Sequence, residues 1–305
     1  GPVSRVVDAS RGHEFPRWFE GATLNVVDTC VDRHAADPAQ AGLEALIFEG
    51  DGGQRRSLSF AALKTEVDRF AVGLARLGVG RGDRVALFMP PVPEAAVAIM
   101  ACARIGAISV PAFSGYGADS LATRLQAGEV KVLVTADSTT RRGKPVPMKQ
   151  IAGDAAALSP SVQHLVVVPV SGEAVPMTAG RDHAWAEVAA PLQGPAPAPL
   201  AMDPNDPLMI IYTSGTTGLP KGIVHSHLGF LLKAAIDFGY AFDLQPGDRL
   251  GWIADMGWML GPLMILGALQ CGAGLVMIEG LPDHPGVDRL WQIVERNGVT
   301  VQGIA

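Results

Sequence analysis

PLMIIYTSGTTGLPKG, residues 207–222, sets an apolar run of strand type directly against a loop crowded with glycines and hydroxyls. Pro207 to Tyr212 is apolar at nearly every position, the pattern of a strand buried on both faces. Behind it, Thr213 to Gly222 packs four hydroxyl side chains, three glycines and Lys221 into ten residues. Glycines can turn successive amides into a concave nest, hydroxyls add donors beside it, and a lysine supplies a point charge for phosphate oxygens. A polyphosphate is the natural ligand, and a solvated connector is the alternative. The ordinary P-loop spacing does not apply. Gly218 stands three residues before Lys221, and Gly222 follows where Ser or Thr would be required.

Outward from this stretch, strand and helix patterns alternate. Ser59 can cap a helix carrying Leu63, Val67, Phe70, Leu74 and Leu77 at intervals of three and four. Arg84 to Met89 reads as a buried strand, Pro93 opens a second helix ending near Gly106, and Ile108 to Ala112 is a further strand. Val130 to Ala136, His164 to Val170, Leu250 to Ala254 and Leu275 to Ile278 continue the series. The ordering predicts an α/β fold of parallel sheets covered by helices. Residues 1–42 are expected to form an N-terminal extension, 43–190 a first α/β subdomain, 191–204 a Pro- and Ala-rich linker, and 205–305 a second subdomain bearing the loop. Val299 to Gln302 begins a strand pattern just before Ala305, which raises the expectation of a truncated core.

Of the 305 residues 48% are apolar and 18% charged, enough to bury large sheets and too apolar for disorder. A net charge of −6 argues against a nucleic-acid coat. Cys30, Cys102 and Cys271 lie far apart and suggest neither a disulfide framework nor zinc, which favours a reducing, cytoplasmic setting. No apolar leader stands in the first thirty residues. The uncharged run Met256 to Ile278 is long enough to cross a bilayer. Its five glycines and Pro262 instead favour a buried helix, a turn and a core strand.

Tyr212 to Gly222 resembles the phosphate-loop signature of the adenylate-forming superfamily. Further segments resemble the acetyl- and propionyl-CoA synthetases within it. They are Arg17-Trp18-Phe19, Leu24-Asn25-Val26, Cys30 to His34, Met89-Pro90 with Pro93-Glu94, and Ala101 to Ala107. Thr135-Ala136-Asp137 with Arg141-Arg142-Gly143-Lys144, Ala254 to Trp258, and Glu279 to Pro282 complete the set. The resemblance implies two sandwiched α/β subdomains of the N-terminal domain, with a barrel and a mobile C-terminal domain expected beyond Ala305. It also implies an ATP-dependent acyl-CoA synthetase using ATP, Mg²⁺ and CoA with a short carboxylic acid. No protein metal site, nucleic-acid partner or membrane partner is expected, and homo-oligomerisation is left open.

Carried over by resemblance, Thr213, Ser214, Gly215, Thr216, Thr217, Gly218 and Lys221 bind the β- and γ-phosphates, with Lys221 and Thr216 catalytic. Phe113, Ser114, Gly115, Arg141 and Lys144 lie along the CoA path, where Ser114 replaces a usual glycine. A solvated basic loop is the alternative for Arg141, Arg142 and Lys144. Trp258, Met259 and Leu260 match the acyl-pocket segment. Acetyl-specific relatives commonly carry Val and Thr after this Trp, so the larger Met259 and Leu260 either block the pocket, reshape it for another short acid, or only pack the core. Ser226, between His225 and His227, is expected to cap a helix rather than act chemically. Turn and strand-end roles are expected for Asp203, Asp206 and Asp255. Two other readings remain: an adenylation domain serving a carrier protein, and a nucleotide-binding fragment without turnover.

Overall fold

The computed structural model describes residues 3–213 and 220–304. Apolar runs that alternate with helices can hide both faces only in parallel sheets, and the chain forms two. The first orders seven strands as Asp182–Ala184, His164–Val168, Val132–Ala136, Arg84–Phe88, Ile108–Ala112, Pro207–Thr213 and Lys221–Ser226. All neighbours in it are parallel except the last pair. The second orders Val301–Gly303, Arg249–Trp252, Gly274–Ile278, Glu44–Glu49 and Arg55–Ser59, again with only the final pair antiparallel.

Helices fill the space between and around the sheets. Ser59 accepts from the Ala62 amide at 3.2 Å and starts the helix Phe60–Arg76, whose Leu63, Val67, Phe70 and Leu74 are fully buried. The helix Pro93–Arg104 begins with Pro at its first turn and is buried at every position but Glu94. Its alanines allow close approach on several sides, so one continuous core joins the two sheets. Buried Arg104 pairs with Asp32 and Asp68, each at 3.0 Å, and donates to the Pro197 carbonyl. Three distant segments meet at that guanidinium.

Sheet membership does not follow the expected divisions at 43 and 205. The hairpin Glu44–Ser59 completes the second sheet, with Leu46 opposite Leu275. The hairpin Pro207–Ser226 belongs to the first. An apolar strand declares its burial and not its neighbours, so this crossing is invisible in the pattern. The uncharged run resolves into the helix Leu260–Gln270 and the strand Gly274–Ile278, joined at Gly272 with φ of +72°. Among the described residues no helix is long and apolar enough to cross a membrane. Residues 191–204 carry no regular element except the Met202 bridge to Leu24.

Candidate functional site

Parallel α/β sheets bind ligands beyond the carboxyl ends of their strands, and the sites expected from sequence lie there on both sheets. Phe113 follows Ile108–Ala112, Asp137 follows Val132–Ala136, Asp255 lies just past Arg249–Trp252, and Glu279 follows Gly274–Ile278. Their loops enclose a cavity of about 180 Å³ whose walls include Pro90, Phe113, Ser114, Arg141, Asp255 and Glu279.

Two carboxylates from the second sheet hold the segments of the first. Asp255 Oδ1 accepts from the Ser114 amide at 3.2 Å and from the Gly257 amide at 2.8 Å, and Oδ2 accepts from the Ser114 hydroxyl. Burial pushes the Asp255 pKa up, against the opposing pull of the Ser114 and Gly257 donors and the Arg141 charge. Glu279 accepts from Thr139 Oγ1 at 2.6 Å and from the Thr140 amide at 3.4 Å. It thereby fixes the root of a small hairpin, Thr139–Arg141 with Lys144–Val146, in which Arg141 stands opposite Lys144. Neither Arg141 nor Lys144 makes an ion pair among the described residues, whereas Arg142 approaches Asp283 at 4.0 Å.

Phe113 links the CoA-side candidates to the acyl-side candidate. The Arg141 guanidinium lies 5.8 Å from its ring centre, and Trp258 meets it edge-on at 5.8 Å. Arg141 Nη2 donates to Ser114 Oγ at 3.5 Å. A Cβ on Gly115 would stand 2.5 Å from the Phe113 ring, so any larger residue there would push that ring aside. Phe113, Ser114, Gly115, Arg141 and Trp258 therefore form one cluster. Trp258 and Met259 are 61% and 52% exposed, so this face of the cluster is open and Met259 does not pack in the core of the described residues. Leu260 opens the following helix.

The residues expected to bind phosphate begin at Thr213 and end at Lys221, on the two strands of one hairpin. Thr213 and Lys221 are exposed and stand opposite each other at the end of the antiparallel pair. Ser214, Gly215, Thr216, Thr217 and Gly218 lie outside the described residues. Among the described residues no side-chain hydrogen bond or ion pair joins Thr213 or Lys221 to the Phe113 cluster.

Ser226 caps the helix His227–Ala234, accepting from the Gly229 amide at 3.2 Å. His227 is fully buried with both ring nitrogens unpartnered, and burial holds its pKa down to about 4 against the opposing charge of Asp206. Asp203 and Asp206 accept from turn amides, Asp203 from Asn205 and Asp206 from Asp203. Among the described residues no three His, Cys, Asp or Glu side chains gather to hold a metal. The clamping roles of Asp255 and Glu279 escaped the sequence reading. The available signal was a lone acid at the end of an otherwise apolar strand run, Ile253-Ala254-Asp255 and Met277-Ile278-Glu279.

Two helix-covered sheets, each parallel except at one edge, define an α/β domain of the class that carries ligand sites beyond the carboxyl ends of its strands. Residues 32–304 match the family described as AMP-binding enzyme, and the chain belongs to it. It is 44% identical over 289 residues to acetyl-coenzyme A synthetase of Streptomyces coelicolor, covering 94% of this chain and 44% of that protein. With acetyl-coenzyme A synthetase of Gemmatimonas aurantiaca it shares 45% identity over 295 residues, 93% of this chain and 44% of the other. Among solved structures it superposes on acetoacetyl-CoA synthetase from Streptomyces lividans with a TM-score of 0.90 and 31% identity, over 99% of this chain and 45% of that one. The chain thus spans about 44% of the length of the curated relatives it matches.

Proposed function

We propose that this chain carries the nucleotide-loop and CoA-side portion of an ATP-dependent acyl-CoA synthetase acting on a short carboxylic acid. The observation that carries the reading is the Phe113 cluster: the basic CoA-side candidate Arg141 and the acyl-side candidate Trp258 flank the same ring, each 5.8 Å away. Thioester formation needs the pantetheine thiol delivered to the acyl carbonyl, so the two recognition surfaces must adjoin.

In the first step a carboxylate oxygen attacks the α-phosphorus of ATP, forming acyl-AMP and expelling pyrophosphate. The nucleophile is already anionic at neutral pH and needs no general base. What the protein supplies is alignment and relief of charge on the leaving group. Thr213, Ser214, Gly215, Thr216, Thr217, Gly218 and Lys221 are assigned to that task, with Lys221 and Thr216 nearest the chemistry. In the second step the CoA sulfur attacks the acyl carbonyl, AMP leaves, and the thiol proton passes to solvent. Arg141 and Lys144 are assigned to the CoA phosphates, Phe113, Ser114 and Gly115 to the pantetheine path, and Trp258, Met259 and Leu260 to the acyl group. Three free cysteines, two of them buried, fit the cytoplasmic placement that belongs to this reading.

The test is acid-dependent exchange of pyrophosphate into ATP by the whole enzyme and its Lys221→Ala variant. The expected result is a loss of two to three orders of magnitude, the scale on which a lost transition-state donor acts. Unchanged exchange would remove the loop from the mechanism.

A further inference from the structure

One carboxylate touches both sides of the Phe113 cluster. Asp255 follows a strand of the second sheet, yet it accepts from the amide and hydroxyl of Ser114 in the first-sheet turn as well as from the Gly257 amide in its own loop. Backbone meets backbone at this junction. A Cβ on Gly257 would stand 2.0 Å from the Phe113 nitrogen and 2.2 Å from the Ala112 carbonyl carbon. With no side chain between the segments, their separation is set by the groups that bridge them. We propose that Asp255 is a shared positioning residue, whose carboxylate sets the spacing between the Phe113–Gly115 turn and the Gly257–Trp258 segment.

The assignment rests on the acyl-CoA synthetase reading for its kinetic consequences and on geometry alone for the clamp. The two carboxylate oxygens share three donors, the Ser114 and Gly257 amides and the Ser114 hydroxyl. An asparagine would keep one oxygen for the amides, but as a neutral acceptor, and would face its NH₂ to the Ser114 hydroxyl that now donates to Oδ2. The bonds to an ionised acceptor are also the stronger kind. With donors from Ser114 and Gly257 on both oxygens, Asp255 acts in this assignment through position. Ser114 extends the link, since its hydroxyl donates to Asp255 and accepts from Arg141 at 3.5 Å. A glycine at 114 would leave Asp255 joined to the turn by backbone alone.

Two measurements on the whole enzyme test this. Amide hydrogen exchange reads the clamp directly. Asp255→Asn is expected to speed exchange at least tenfold in both the 113–115 and 257–258 segments, and Ser114→Ala in the first only. Unchanged exchange in either segment of Asp255→Asn overturns the proposal whatever the enzyme catalyses. Steady-state kinetics read the consequence. Ser114→Ala raises the KM for CoA about threefold to tenfold, more than it raises the KM for the acid. Asp255→Asn raises both about tenfold, with smaller changes in kcat. For CoA the double variant is no worse than Asp255→Asn, because both changes break one link. Multiplying effects, or a KM for either substrate left unmoved by Asp255→Asn, would overturn the shared role. Faster exchange in an enzyme whose wild type makes no acyl-CoA would support the clamp and discard the synthetase reading instead. Should Asp255→Asn fail to fold, the exchange and KM pattern of Ser114→Ala decides.

Discussion

Replacing Gly257 by alanine adds one methyl group where a loop of the second sheet crosses main chain of the first. Its Cβ would lie 2.0 Å from the Phe113 nitrogen, and contact becomes ordinary only beyond 3.4 Å, so backbone must yield by roughly 1.4 Å. Neither partner is a flexible side-chain end. Both are main chain, held by the Ile108–Ala112 strand on one side and by Asp255 on the other. Overpacking of this kind costs about 1–3 kcal/mol, and a backbone clash falls in the upper part of that range. In a domain of this size about 2–3 kcal/mol lowers Tm by roughly 5–10 °C in calorimetry. Function should suffer more than stability, because a misplacement near 1 Å costs about a hundredfold in rate where two reactants must be aligned. The expected pairing is a folded, moderately less stable enzyme with acyl-CoA formation reduced about a hundredfold. An unchanged Tm together with full thioester formation would refute the close approach itself.

Charge reversal at Arg141 is expected to raise the KM for CoA by at least tenfold and the KM for the acid far less, measured by steady-state kinetics. Equal losses for both substrates would count against a CoA-side role. His227 should impose an acid limit on stability. Its folded pKa of about 4 lies below the usual 6.5, so its neutral form is favoured by the fold. Stability is complete above pH 6.5 and falls by about 3 kcal/mol as pH drops toward 4. His227→Leu removes that limb in urea denaturation at pH 7 and pH 4.5, and an unaltered slope would sink the assignment. Asp182 acts lower on the scale. Burial opposes its charge, but Arg181, the Thr178 amide and Lys149 outweigh that and hold the pKa to about 2. Its contribution is present above pH 3.8 and is lost as pH falls toward 2. At neutral pH Asp182→Asn strands buried Lys149 and should cost about 3–5 kcal/mol, read from the urea midpoint.

Local patterns were legible where one segment determines its own structure. Ser59 and Ser226 cap the helices expected of them, and the strands at Ile108–Ala112 and Pro207–Thr213 begin where the apolar runs begin. The expected strand over 250–254 stops at Trp252, because Asp255 turns out of the sheet to reach Ser114. What could not be read was partnership. Nothing in Glu44–Glu49 announces Gly274–Ile278 as its neighbour, and the short strand Asp182–Ala184 carries too few apolar residues to declare itself. At the site, the family resemblance pointed to Arg141 and Trp258. Their meeting at the Phe113 ring depends on a crossing between sheets that no local window contains.

The second sheet draws its Glu44–Glu49 strand from the beginning of the chain and its Gly274–Ile278 strand from near the end, with more than 220 residues between. During synthesis at about 5–20 residues per second the early hairpin waits roughly 10 to 45 s for its neighbour. Throughout that interval Ile47, which packs with Val276, Ile278 and Ile293 in the finished molecule, lacks those partners. The nascent chain therefore carries a half-made sheet edge past the ribosome exit, of the extended apolar kind that holdases recognise.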